Sequence, residues 1–328
     1  MKKISVLSVL LLFLTACTQP ATDGIENETS NLEETNIEEA ILDVYTTAYP
    51  LGFFTERIGG ERVNVSSVYP PGTNEHVFEP TQQDMISLAE ADLLFYVGLG
   101  LEGFMDSTKE TLSGENVQMV AVADAISDEE LVEEVDEEDH VEDVSEEESL
   151  EEDAHSIDPH VWISPVLSQK LAAAIKDSLI QADAEGAEIY EANFNELVAE
   201  LKQLDQSFSD LSSTVENKTF FVSHAAFGYL AETYGFEQVA VAGLNSQDEP
   251  SQKELVEIVN LAKEKSIDYI VFEQNVSSKL TEVIQKEIGA EAVNMHNLSV
   301  LTQEDIDNNE TYFTLMRKNF AVLETILN

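Results

Sequence analysis

Six histidines are the residues of this chain best equipped for chemistry: His76, His140, His155, His160, His224 and His296. His140 and His155 stand in an acidic run, while the other four fall in loops around predicted strands. His76 lies in a turn-rich loop after a strand-like stretch at 63–68, and His224 ends another at 219–224. His160 precedes a helix that Ser164 can cap and Pro165 can open. In open parallel sheets, ligands bind at the carboxyl ends of strands, where loops from separate units meet. Three neutral imidazoles converging there are a donor set that Zn²⁺ favours, at about 2.0–2.1 Å per nitrogen. These residues are remote in sequence, and a lone loop histidine is commonly an ordinary packed side chain. Residue chemistry alone leaves both readings open.

Such loops need a scaffold, and the hydrophobic pattern supplies one. Strand-like runs at 41–47, 63–68, 92–98 and 121–123 alternate with helical stretches, one opened by Thr81 with Asp84 near its positive end. The rhythm resumes with strands at 219–224, 239–243, 267–273 and 292–295 and helices at 251–265, 280–288 and 312–327. Between the two series runs a long helical pattern, 188–211, with Ile189, Phe194, Leu197, Leu201, Leu204 and Phe208 at its apolar positions. The expected fold is α/β: two Rossmann-like lobes with mainly parallel sheets, residues 40–185 and 216–328, joined by one long rigid helix at 186–215. The metal site is expected in the cleft. Trp162, the sole tryptophan, reads as a core plug.

The N-terminus addresses the compartment. Lys2 and Lys3 precede an apolar run at 4–14, too short for an ordinary membrane span. Leu14-Thr15-Ala16-Cys17 resembles the lipobox of bacterial lipoproteins, which implies a signal peptide at 1–16 and lipidation of Cys17. Cys17 is the only cysteine, so the chain forms no internal disulfide. Residues 17–39 carry few large apolar side chains and read as a flexible tether. The expected protein is a monomer anchored by lipid on the extracellular face of the cell membrane.

Net charge is −49, from 65 acidic and 16 basic residues. Nucleic acid is excluded as a partner, since phosphate binding needs Lys and Arg clusters that are absent. A strongly anionic field concentrates cations, although a salty habitat selects the same composition. Residues 128–158 alone hold 18 acids and no Lys or Arg, and 127–157 reads as a surface insertion.

Three segments give a family resemblance: Pro70-Pro71-Gly72-Thr73-Asn74-Glu75-His76-Val77-Phe78-Glu79-Pro80, Asp158-Pro159-His160-Val161-Trp162-Ile163-Ser164-Pro165, and Ser223-His224-Ala225-Ala226-Phe227-Gly228-Tyr229-Leu230. They resemble the ligand loops of the zinc-specific solute-binding lipoproteins of bacterial ABC importers, the cluster A-I family. The resemblance covers essentially everything beyond the tether. It implies that His76, His160 and His224 ligate Zn²⁺ as transported cargo, that the partner is an ABC transporter permease, and that the chain is not an enzyme. Manganese-binding relatives carry Glu at the third position, so His224 favours zinc, as ligand softness also does.

The chain departs from the pattern in the loop after the last strand, His296-Asn297-Leu298-Ser299-Val300-Leu301-Thr302, where Ser299 stands at the place of a usual Glu. A serine hydroxyl binds Zn²⁺ weakly, so the fourth donor is expected to be water, Glu75, Glu273 or a carboxylate of the acidic run. Competing readings are a manganese or iron receptor, a His₃-zinc hydrolase, and an adhesin on the same scaffold. The hydrolase reading lacks a His-Glu-x-x-His helix and a Gly-x-Ser-x-Gly elbow.

Overall fold

Strand β1 (Leu42–Thr46), rich in β-branched and aromatic residues, leads into α1 (Tyr49–Gly59), which has Pro50 in its first turn. β2 (Val63–Ser67), α2 (Gln82–Glu90), β3 (Leu93–Tyr96), α3 (Met105–Thr111) and β4 (Gln118–Ala121) follow. The four strands form a parallel sheet in the order β2-β1-β3-β4. β3 is buried along its whole length, as expected where both faces of a parallel sheet are covered. This is a computed structural model; it describes residues 41–132, 157–276 and 278–328. Cys17, His140 and His155 lie outside the described residues, as do the signal-peptide and tether readings.

Two helices then carry the chain onward, α4 (Pro165–Ala182) and α5 (Ala187–Thr214). The 28 residues of α5 span about 42 Å. Its buried stripe is Tyr190, Leu197, Leu201, Leu204, Phe208 and Leu211, a three-and-four spacing. Ile189, expected on that stripe, is instead 45% exposed, because counting back seven residues from Leu197 reaches Tyr190. At the α4–α5 junction Asp183 accepts bonds from Arg62 at 2.6 and 2.9 Å and from Tyr190 Oη at 2.7 Å. Gly186 is required beneath them, since a Cβ there would stand 2.6 Å from Asp183 Oδ2 and from Tyr190 Cζ.

The second series is β5 (Thr219–His224), α6 (Gly228–Tyr234), β6 (Glu237–Ala242), α7 (Gln252–Glu264), β7 (Tyr269–Glu273), α8 (Lys279–Ile288) and β8 (Glu291–Met295). Its sheet is again parallel, in the order β6-β5-β7-β8. The expected start signals operate: Thr81 and Ser251 form capping boxes with Asp84 and Glu254, and the Ser164 hydroxyl accepts from Leu167 N–H. Gly289 ends α8 in the left-handed conformation.

After α9 (Gln303–Asp307), the last helix, α10 (Tyr312–Ile326), returns to the first series. There Tyr312 stacks on Phe53 of α1 and meets Phe54 of the same helix edge-on, and Phe313 meets Phe53 edge-on. One apolar core therefore runs from Val44 and Leu93 through Trp162, Leu201 and Phe208 to Phe220 and Val271. Trp162 is completely buried in it, at a gain of about 4–6 kcal/mol from the area of an indole. The architecture is the expected one, two parallel-sheet lobes joined by long helices. Among the described residues no helix is long and apolar enough to cross a membrane.

Candidate metal centre

Each sheet places its second-numbered and third-numbered strands on opposite sides of its first, so a crevice opens at the strand carboxyl ends. His224 is the last residue of β5 and Glu273 the last of β7, its neighbour. Their meeting follows from that topology. His224 Nδ1 lies 2.8 Å from Glu273 Oε2, and its Nε2 3.2 Å from the Leu244 carbonyl. Ser223 Oγ donates to Glu273 Oε1 at 2.9 Å.

His160 is reached differently. The Asp158 carboxylate turns back on its own chain, accepting from His160 N and lying 2.8 Å from His160 Nδ1. A Cβ on Gly228 would stand 2.6 Å from Asp158 Oδ2, so glycine there leaves room for the carboxylate. Tyr229 Oη donates to the Asp158 carbonyl at 2.7 Å. The short 3₁₀ turn Val161–Ile163 then delivers the chain to the cap of α4.

His76 arrives on a loop built from turn residues. Thr73 N donates to Pro70 O, with Pro71 and a left-handed Gly72 (φ +77°) between them, the pattern of a type II turn. Asn74 then caps a 3₁₀ turn, Glu75–Val77, by accepting from His76 N at 3.0 Å. Its amide also donates to Ser246 Oγ across the cleft.

These three remote segments bring their rings together. The His76, His160 and His224 centroids lie 4.9–5.5 Å apart, and one nitrogen of each lies within 4.8 Å of the other two. Among the described residues, the buried side-chain polar atoms with no hydrogen-bond partner are His76 Nε2, His160 Nε2, Glu75 Oε1 and the Tyr69 hydroxyl. Two of the four are on these rings, and a third, Glu75 Oε1, lies 3.9 Å from His76 Nε2. Unpaired buried nitrogens cost stability unless something occupies them. With Nδ1 held by a carboxylate, Nε2 of His160 is the free donor, the usual arrangement behind a metal-bound imidazole.

Electrostatics favour neutral imidazole at His76, whose pKa is pushed down to about 3 by burial and then by His160 and His224. At His224 burial opposes the charged form, but the Glu273 carboxylate outweighs it and raises the pKa. Glu273 is held below the usual range despite its burial, by His224 and by Ser223.

The remaining candidates fall into place. Ser299 Oγ donates to Asn297 Oδ1, and Glu273 has both oxygens engaged. Glu75 is 2% exposed, with one oxygen 3.9 Å from His76 Nε2. His296 serves its own loop, accepting from Leu298 N at Nδ1 and facing Asp305 with Nε2. Sequence reading missed Asp158, although an Asp two residues before a backbone N–H is a signature of such turns. It also missed Asn297, whose role depends on contacts from distant segments.

Comparison with known proteins agrees with this geometry. The family described as ZnuA, zinc-uptake complex component A, periplasmic, matches residues 44–326. The chain is 33% identical to the high-affinity zinc uptake system protein ZnuA of Bacillus subtilis, over 98% of this chain and 96% of that one. It is 34% identical to the zinc-binding lipoprotein AdcA of Streptococcus pneumoniae over 99% of its own length, but spans only 61% of that longer relative. The zinc-bound AdcA structure superposes with a TM-score of 0.71 and 31% identity, over 88% of this chain and 58% of that one. The laminin-binding protein Lmb of Streptococcus agalactiae, described as both adhesin and metal transporter, gives 0.74 and 26%, over 88% and 100%. On sequence, fold and the clustered imidazoles together, the chain belongs to the ZnuA family of zinc-uptake components.

Proposed function

We propose that this protein captures Zn²⁺ outside the membrane and passes it to the permease of an ABC importer. The observation that carries the reading is the convergence of three imidazoles, two with buried, unpartnered Nε2 atoms. His76, His160 and His224 are assigned as ligands. Glu75 is assigned as the fourth donor, because among the described candidate side chains it alone keeps a buried oxygen free. Three nitrogens and one carboxylate suit zinc better than manganese. The hydrolase reading gives way, since the family is one of uptake components rather than enzymes. Lipidation at Cys17, with residues 1–16 removed and 17–39 as tether, would hold the lobes near the permease.

Isothermal titration of the metal-stripped full chain tests this. One tight zinc site is expected, and changing His76, His160 and His224 together to Ala abolishes it. Tight binding that survives the triple change overturns the assignment.

A further inference from the structure

Resting on the assignment of His160 and His224 as ligands, we propose that Asn297 is a positioning residue that ties these two imidazoles to one another across the lobes. Asn297 is 1% exposed, and its polar groups divide between the two ligand systems. Its Nδ2 donates at 3.2 Å to Glu273 Oε2, the same oxygen that faces His224 Nδ1. Its main-chain carbonyl accepts from Trp162 Nε1 at 2.7 Å, and the Trp162 ring stands edge-on to His160 with centroids 5.4 Å apart. Its Oδ1 accepts from Ser299 N and Oγ and from Gln274 Nε2, which fixes the amide's orientation.

The backbone around it is held in a sparsely populated shape. Leu298 takes φ +61°, a region that bulky side chains rarely enter, and Leu298 N–H donates to His296 Nδ1 at 2.8 Å. Farther along, the Ser299 carbonyl accepts from Tyr49 N at 2.8 Å. The Leu301 carbonyl accepts from Gly72 N at 2.9 Å, in the turn that launches the His76 loop. The loop of Asn297 thus touches every ligand-bearing segment.

Asparagine meets requirements that close substitutes do not. It must donate to a buried carboxylate and accept from an amide and a hydroxyl at once. Aspartate would lose the donor and set two carboxylates against each other. Alanine would leave Glu273 Oε2 with one partner fewer and free Glu273 to rotate, taking His224 with it. Phenylalanine at 162 would cut the link from the other side while keeping a ring against His160.

The test is zinc affinity, by chelator competition on the metal-stripped full chain, with thermal melting and the visible bands of the cobalt-substituted protein measured alongside. N297A and N297D are expected to weaken zinc about 10–100-fold, in the range for a residue that orients a ligand, and to weaken the tetrahedral cobalt bands. N319A is the control for simple loosening, because Asn319 holds the same loop through His296 N and O without touching Glu273. It should lower the melting temperature and leave affinity near wild type. N297A combined with W162F should cost less than the two single losses multiplied together, since both cut one connection. Should N297A misfold, N297D and W162F carry the test.

Wild-type affinity in N297A, equal affinity losses in N319A and N297A, or strictly independent effects of N297A and W162F would overturn the inference. Tight binding in H224A would instead overturn the ligand assignment beneath it.

Discussion

Each lobe buries a glutamate near the carboxyl ends of its two central strands, one in the loop after β3 and one at the end of β7, and uses it differently. In the first lobe, Glu102 sits beside the carboxyl ends of β1 and β3, accepting from Thr47 Oγ1 at 2.7 Å, Val97 N at 2.8 Å and Gly98 N at 3.0 Å. In the second, Glu273 ends β7 beside β5 and accepts from Ser223 Oγ and from His224. Burial raises the pKa of Glu102 against its three hydrogen bonds, while His224 lowers that of Glu273 against its burial. An adjacent imidazole is the difference. With it, the carboxylate stays ionised and orients the His224 imidazole; without it, the carboxyl closes a loop on itself.

Replacing each glutamate by Gln gives the sharpest contrast. E273Q should weaken zinc about 10–100-fold by removing the charge behind His224, while E102Q should leave zinc affinity unchanged; titration calorimetry on both checks this. Equal effects on zinc would break the comparison.

Acid–base behaviour should separate the lobes next. Because burial raises the folded pKa of Glu102, at pH values between the unfolded and folded pKa the native state keeps a proton that the unfolded chain has released. Its contribution to folding is therefore fully present below the ordinary carboxylate pKa and is lost as pH rises through the folded value. Gln has no proton to lose. Thermal melts of the metal-free proteins should show E102Q improving relative to wild type from pH 4 to pH 8; a constant difference contradicts the raised pKa.

The hydroxyl partners are expected to give the smallest effects. T47V removes a donor to Glu102 and should cost about 0.5–1.5 kcal/mol of stability with no change in zinc binding. S223A, the matching change at Glu273, should lower zinc affinity by well under tenfold. Denaturant melts and calorimetry on the pair would show whether the hydroxyl partners of the two glutamates serve different ends.

Much of this was legible in the chain itself. Thr81, Ser164 and Ser251 announced helices because a capping hydroxyl acts on N–H groups three residues away. The three histidine loops were visible as motifs, and their imidazoles do meet. The register of α5 was misread at Ile189, since an apolar residue next to a larger aromatic one looks equally suited to a stripe until packing chooses Tyr190. The fourth donor was left open because Glu75 and Glu273 differ in what they already bond, and those partners come from separate segments. Asn297 was silent for the same reason: its partners Glu273 and Trp162 lie 24 and 135 residues away.

The central claim is that His76, His160 and His224 share one zinc ion. Diffraction from zinc-loaded crystals, recorded on both sides of the zinc absorption edge, tests it most directly. A single strong anomalous peak bonded to the Nε2 atoms of His76 and His160 and to the ring of His224 is the predicted result. A peak elsewhere on the acidic surface, with these rings unligated, would contradict it.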